Sequence, residues 1–265
     1  MALVGAAVSG LAAYRVFEQE QSIDRIALAR AIDIHAGIVQ ERLMQRELLT
    51  RVAVGILRSP SLIHANALEP LRTSIYAFKA DFVLTSWIAR IQPDQIKLAE
   101  NELAAGGFSR PVIRGLEDTR IDPATLRGPV DVVMDVEPRG PEAAGWPGRA
   151  IDKLPVIGPM LQRAAAARKP IASAPLPLIR SNGPFGIVLA APVVQEGTDQ
   201  VAGFLTFSYR LGPLMLTNDE MSLFSVALRE QGMPGKEFVA DSEGNVQVVP
   251  ARAGTPVLRT LEFGD

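Results

Sequence analysis
From Ala2 to Arg58 apolar positions recur at helical spacing, and the first helix-breaking pair is Ser59-Pro60. Residues 2–14, ALVGAAVSGLAAY, are uncharged and run up to Arg15. A membrane-spanning helix needs about twenty apolar residues, so 1–14 reads as the outer part of a transmembrane helix whose inner part lies outside this sequence. Over 15–58 two apolar stripes run along the helix. Ile23, Ala27, Ile34, Ile38, Leu48, Val52 and Ile56 form one, with Leu28, Ile32, Val39 and Leu43 beside them. Two stripes imply two partners. Such a helix is on the order of 60 Å long, more than a compact domain needs. The pattern predicts a stalk that dimerises on one face, at Ile23, Ala27, Ile34 and Ile38, and carries a domain on the other. Glu41 and Arg42 interrupt any heptad, so a continuous coiled coil is not expected. His35 lies in the second stripe and is expected to pack there; His64 stands alone after Pro60.

Shorter elements follow. Helices are predicted over Leu68–Asp81, from Ser86 up to Gln92-Pro93, and over Gln95–Leu103, with Pro93-Asp94 as cap and first turn and Gly106-Gly107 as the stop. Beyond them the period changes to two. Strands are expected at Val130–Val136, Pro170–Ile179, Phe185–Val194 and Val201–Tyr209, with a short helix at Gly158–Arg168 and an exposed loop, Glu137–Pro155, before it. Turns fall at Ser181-Asn182-Gly183 and Gly197-Thr198-Asp199. A last unit has a helix over Leu216–Glu230 and strands at Glu237–Asp241, Val246–Val249 and Val257–Phe263, with a turn at Asp241–Asn245. Together these predict an α+β fold: an antiparallel sheet with helices on one face and a concave surface on the other.

Composition narrows the function classes. The 265 residues are 48% hydrophobic, enough for a real core. Lys+Arg 27 against Asp+Glu 29, with no basic block, leaves no electrostatic footprint for nucleic acid. With no cysteine, the chain has no disulfide, thiol nucleophile or thiolate metal site, and it suits an oxidising compartment. No nucleotide-binding, hydrolase or metal-ligand motif occurs, so no catalytic residue, metal or cofactor is expected. The carboxylates Asp135, Glu137, Glu142 and Asp152 are assigned to loop solvation and turn hydrogen bonds. The sheet offers apolar residues with a few hydroxyls, Ser173, Thr206 and Ser208, which suit a small-molecule pocket as well as a plain core.

Three segments in order, AAAARKPIASAPLPL (164–178), GIVLAAPVV (186–194) and AGFL (202–205), resemble the CHASE domain family. Upstream, Trp87-Ile-Ala-Arg90, Glu102 and Gly106-Gly107-Phe108 look like that family's helix and its glycine-aromatic turn. The resemblance covers about residues 65–215. It implies an extracytoplasmic, membrane-anchored sensor: a stalk helix, a distal PAS-like lobe at 59–213 and a proximal PAS-like lobe at 214–265 that is cut short. It also implies dimerisation through the stalk and a cytoplasmic kinase, cyclase or phosphodiesterase as output. Carried over residue by residue, Ile157 stands near the place of a ligand-binding carboxylate, and Ser173 matches a supporting hydroxyl. Ile179 matches an apolar wall and Ala190 replaces a hydroxyl residue. Phe204 matches an aromatic side wall. Phe207 falls where a glycine leaves room for the ligand, and is expected to narrow or close the cavity. Trp146, in the loop, joins these as a candidate ligand contact, and Asp152 fits a structural acidic position.

The reading is therefore a sensor for a small-molecule or peptide ligand, acting as a homodimer on the extracytoplasmic side of the cell membrane. Two others stand beside it: a scaffold or protein-interaction ectodomain whose lobe is filled by its own side chains, and a periplasmic enzyme using the loop carboxylates.

Overall fold
The computed structural model describes residues 2–57, 63–75, 81–178, 183–216, 227–229, 235–241, 243–251, 259–261 and 263, and the side chains of these except 2–24 and 74–75. The fold is mixed α+β. One helix, α1 (Ala2–Ile56), runs unbroken for 55 residues, about 80 Å at the usual rise. Among the described residues no helix is long and apolar enough to cross a membrane. After a 3-10 turn at Glu69–Leu71 and the short α2 (Arg72–Ile75) comes β1 (Phe82–Ile91), then α3 (Ile96–Ala105) and β2 (Val130–Glu137). Next are α4 (Ile157–Ala167), β3 (Ile171–Ala172), β4 (Leu176–Pro177), β5 (Phe185–Val194) and β6 (Val201–Arg210). α5 (Leu211–Met215) leads to β7 (Ala227–Leu228), β8 (Lys236–Ala240) and β9 (Val246–Pro250).

The main sheet is antiparallel in the order β2-β1-β6-β5-β3, with β4 also paired to β5. Its first and last long strands thus lie side by side at the centre. The expected helix from Ser86 is instead the second half of β1. The segment FVLTSWIARI is rich in β-branched and aromatic residues and is apolar at both odd and even positions, because it is covered on both faces. A doubly buried strand and a helix give the same continuous apolar run, so period alone does not separate them. The Trp87–Arg90 likeness to a family helix falls with it. Helices also flank both faces of the sheet, not one: α1 and α3 pack on the face that carries Trp87, Leu189 and Leu205, and α4 on the face that carries Ile88, Ala190 and Phe204.

α1 buries one stripe, His35, Val39, Leu43, Arg46, Thr50 and Ala53, against β5, β6 and α5. Ala27, Ile34, Leu48, Val52 and Ile56, from the other stripe, are exposed, and Ile38 is half-buried; the Ile23 side chain lies outside the described ones. Polar anchors fasten the buried stripe. Arg46 forks onto Asp81 at 2.9 and 3.0 Å, and the Asp81 carbonyl accepts the Arg210 N–H at 2.6 Å, so one helix position grips the ends of both β1 and β6. A turn earlier, Arg42 donates to the Pro213, Leu214 and Leu216 carbonyls at the end of α5.

Other expectations meet the structure unevenly. α3 starts after a turn at Pro93–Gln95, where the Gln92 N–H is accepted by Gln95 Oε1 at 3.1 Å, and ends at Gly106 with Gly107 in the left-handed region. The single strand expected at Pro170–Ile179 is split into β3 and β4 around Pro175, which has no N–H for the ladder; Ile179 itself lies outside the described residues. His64 is not alone, since its Nδ1 sits 2.8 Å from Glu102. The helix predicted at Leu216–Glu230 falls mainly on undescribed residues, but Ala227-Leu228 are in a strand. Of the strand predicted at Val257–Phe263, the described residues 259–261 and 263 are in no strand. β7, β8 and β9 form a separate three-stranded antiparallel sheet. Its β8–β9 turn has Gly244 in the left-handed region, and the Asp241 carboxylate accepts the Glu243 and Asn245 N–H groups.

Candidate functional site
Alternation along the central strands decides what faces the two layers. On β6, Thr206 and Ser208 point away from α1, whereas Phe207 and Tyr209 point toward it. On β1 the corresponding residues are Leu84, Ser86 and Ile88, and on β5 Val188; with Val133 of β2 they floor a cavity of about 400 Å³. Ser86 and Thr206 are directly opposite across the β1–β6 ladder, and Ser208 is opposite Leu84, so three hydroxyls lie close together on an otherwise apolar floor.

The roof is the segment between β2 and α4. It was expected to be an exposed loop; instead it folds down onto the sheet. The Gly148 and Ile151 N–H groups donate to the Val133 and Asp131 carbonyls at 2.7 and 2.9 Å, and Arg114 Nη2 reaches the Gly145 carbonyl at 2.7 Å. Gly148 has a φ of 81°, and a Cβ there would meet the Val112 carbonyl at 2.6 Å, so only glycine suits this approach. The segment thereby brings Trp146, Ile151 and the stretch Leu154–Val156 over the floor, and Ile157 follows at the start of α4. Leu176, Pro177 and Leu178 close one end. At Gly158 a side chain would lie 2.0 Å from the Asp152 carbonyl, so roof and helix meet at van der Waals contact through a glycine.

Of the predicted ligand contacts, Trp146 and Ile157 line the cavity. Ala190 and Phe204 belong to the packed core of the same face, and Arg90 lies over the Phe204 ring at 5.1 Å. Ser173 fastens β3 to β5: its hydroxyl accepts the Val188 N–H at 2.9 Å and its own N–H donates to the Val188 carbonyl. Phe207 is a correction. It neither narrows nor closes the cavity, because strand alternation places it on the α1 side, stacked on Tyr209 at 6.3 Å and beside Phe82. Sequence reasoning misses Ser86, Leu84 and Ile88, which fall in an expected helix or its approach, Ile151 and Leu154, which fall in the expected exposed loop, and Val156, which lies between that loop and the helix expected from Gly158. The apolar residues inside that proline- and glycine-rich stretch were the available signal.

The carboxylates do not converge on the cavity. Asp135 and Glu137 are buried, not loop solvation. Asp135 accepts the Leu68 and Val136 N–H groups and Arg139 at 2.9–3.0 Å, and Glu137 is paired with Arg72 at 2.5 Å. Burial raises the Asp135 carboxyl above its ordinary value, against the pull of the Leu68 N–H and of Arg139. Burial also raises Asp152, with the nearby Asp131 charge pushing the same way. Glu142 is exposed. Among the described residues no cluster of three His, Asp or Glu side chains is placed to hold a metal ion.

A second hollow of about 520 Å³ lies between α1 and the β5–β6 turn, lined by Arg51, Arg168 and residues 192–198. Its arginines are engaged by Glu47 and Asp199, and its walls include the exposed turn, so it has less of the character of a ligand site than the apolar cavity. Set against models of protein families the sequence matches none, and no curated protein matches it.

Proposed function
We propose that this chain is the ligand-sensing, extracytoplasmic domain of a membrane-anchored signalling receptor, as its resemblance to CHASE domains implies, and that it works as a homodimer joined through α1. The observation that carries this reading is the placement of an apolar cavity and a 55-residue helix on opposite faces of the same three strands, β1, β6 and β5. A ligand pressing on Thr206 or Ser208 acts on a strand whose intervening residues, Phe207 and Tyr209, pack toward the helix layer. The main sheet, with its two longest-separated strands adjacent at the centre and α4 inserted between β2 and β3, supports treating 59–213 as one PAS-like lobe. Signal then passes as a small displacement of paired helices toward the cytoplasmic effector.

The test is a thermal-shift screen of small molecules on the purified protein, with Val188→Phe as the variant that fills the cavity. At a hundredfold excess over Kd a ligand contributes about 2.7 kcal/mol, a rise of about 5–10 °C for a domain of this size. Wild type should gain this and the variant should not. A screen with no hit, or hits that stabilise the filled variant equally, counts against the reading.

A further inference from the structure
Resting on that reading of the cavity, we infer that its ligand is an uncharged, predominantly apolar compound with hydroxyl, carbonyl or amide groups along one edge. Among the described residues that line the cavity there is no charged side chain. Arginines around it are committed elsewhere: Arg90 is forked onto Asp131 at 2.9 and 3.0 Å, Arg114 holds the Gly145 carbonyl, and Arg149, 5.8 Å from the centre of the Trp146 ring, is paired with Asp118 at 3.4 Å. A carboxylate or ammonium ligand entering here gives up its hydration with no counter-charge to replace it.

The polar content that does face the cavity sits on the floor. Thr206 Oγ1 donates a long bond of 3.4 Å to the Ser86 carbonyl, which leaves its lone pairs open. The Ser86 and Ser208 hydroxyls line the same floor, Ser86 across the ladder from Thr206 and Ser208 two residues further along β6. Three hydroxyls that can each donate or accept suit neutral oxygen and amide groups of either polarity. The opposite wall, Trp146, Ile151, Leu154 and Ile157, offers only apolar surface and one indole. At about 30 Å³ for each water-sized unit, 400 Å³ holds about a dozen non-hydrogen atoms.

Three probes of one shape and different charge separate the possibilities: phenylbutanol, phenylbutanoate and phenylbutylammonium. The chain has two tryptophans, Trp146 at the cavity and Trp87 buried on the other face, so Trp146 reports occupancy by fluorescence and Trp146→Phe is the control. The alcohol is expected to change the emission and to bind at least about tenfold more tightly than either ion. Thr206→Val with Ser86→Ala should weaken the alcohol about tenfold or less, with the fold checked by its melting curve. Binding of phenylbutanoate or phenylbutylammonium as tight as that of the alcohol overturns the neutral-ligand inference and leaves the cavity as a site. No response to any of the three, with no thermal shift, overturns both.

Discussion

Arg46→Met tests how firmly the long helix is joined to the sheet. Arg46 and Asp81 are each 5% exposed, and their forked pair is joined by the guanidinium lying 5.7 Å above the Tyr209 ring. Methionine follows the aliphatic stem, so little packing is lost; what remains is Asp81, buried and without its charge partner. Removing one member of a buried pair costs about 3–5 kcal/mol, and the ring contact about 0.5–2 kcal/mol more. The backbone bond from the Arg210 N–H to the Asp81 carbonyl survives, which favours the lower end, about 4 kcal/mol. With a urea dependence of about 2–3 kcal/mol per molar, the midpoint should fall by about 1.3–2 M. Arg46→Met combined with Asp81→Leu should recover much of that loss, because a packed apolar pair commonly replaces a buried ion pair at little cost. A single variant that shifts the midpoint by less than about 0.3 M, or a double variant as unstable as the sum of the two singles, refutes the coupling.

Three further outcomes follow from other parts of the structure. Gly158→Ala should lower stability by about 1–3 kcal/mol despite alanine's better helix propensity, because its Cβ would lie 2.0 Å from the Asp152 carbonyl; a stabilised variant would remove that close approach. For Asp152 the sign is as follows: a carboxyl raised by burial binds its proton more readily in the folded chain, so its ionisation costs stability at neutral pH and the cost vanishes as pH falls below the raised value. Asp152→Asn should therefore melt above wild type at neutral pH and approach it near about pH 4, and melting curves with a constant gap would refute this. Ile34 is 51% exposed, so Ile34→Glu should leave the stability of the monomer within about 0.5 kcal/mol of wild type while abolishing the dimer proposed above, with analytical ultracentrifugation as the readout; a dimer that persists in the variant would move the interface elsewhere.

Where a Gly- or Asn-containing turn sets off a short apolar run, the strand was readable whether one face or both is buried. β5, β6, β8 and β9 fall within a residue or so of their expected bounds, and α4 within one. The long helix was legible for a different reason: no proline or turn pair interrupts it before Ser59. β1 was not legible, because it is covered on both faces and, unlike β5 and β6, has no Gly or Pro turn just before it to set the run apart from a helix. Half of the cavity floor was lost with it. The roof was misread because proline and glycine normally mark solvent-facing turns, while here Gly148 and Gly158 are the places where backbone comes close enough to seal a layer. Phe207 was placed in the wrong layer by resemblance, although its spacing from Thr206 and Ser208 on an alternating strand already set it on the other side.

The strict alternation of β6 has an evolutionary consequence. Residues 204, 206 and 208 face one layer and residues 205, 207 and 209 the other, so neighbouring codons answer to separate constraints. A lineage can drift through new side chains at Thr206 and Ser208, altering what the cavity admits, while Phe207 and Tyr209 keep the opposite layer intact. Diversification of one surface then needs no compensating change in the other.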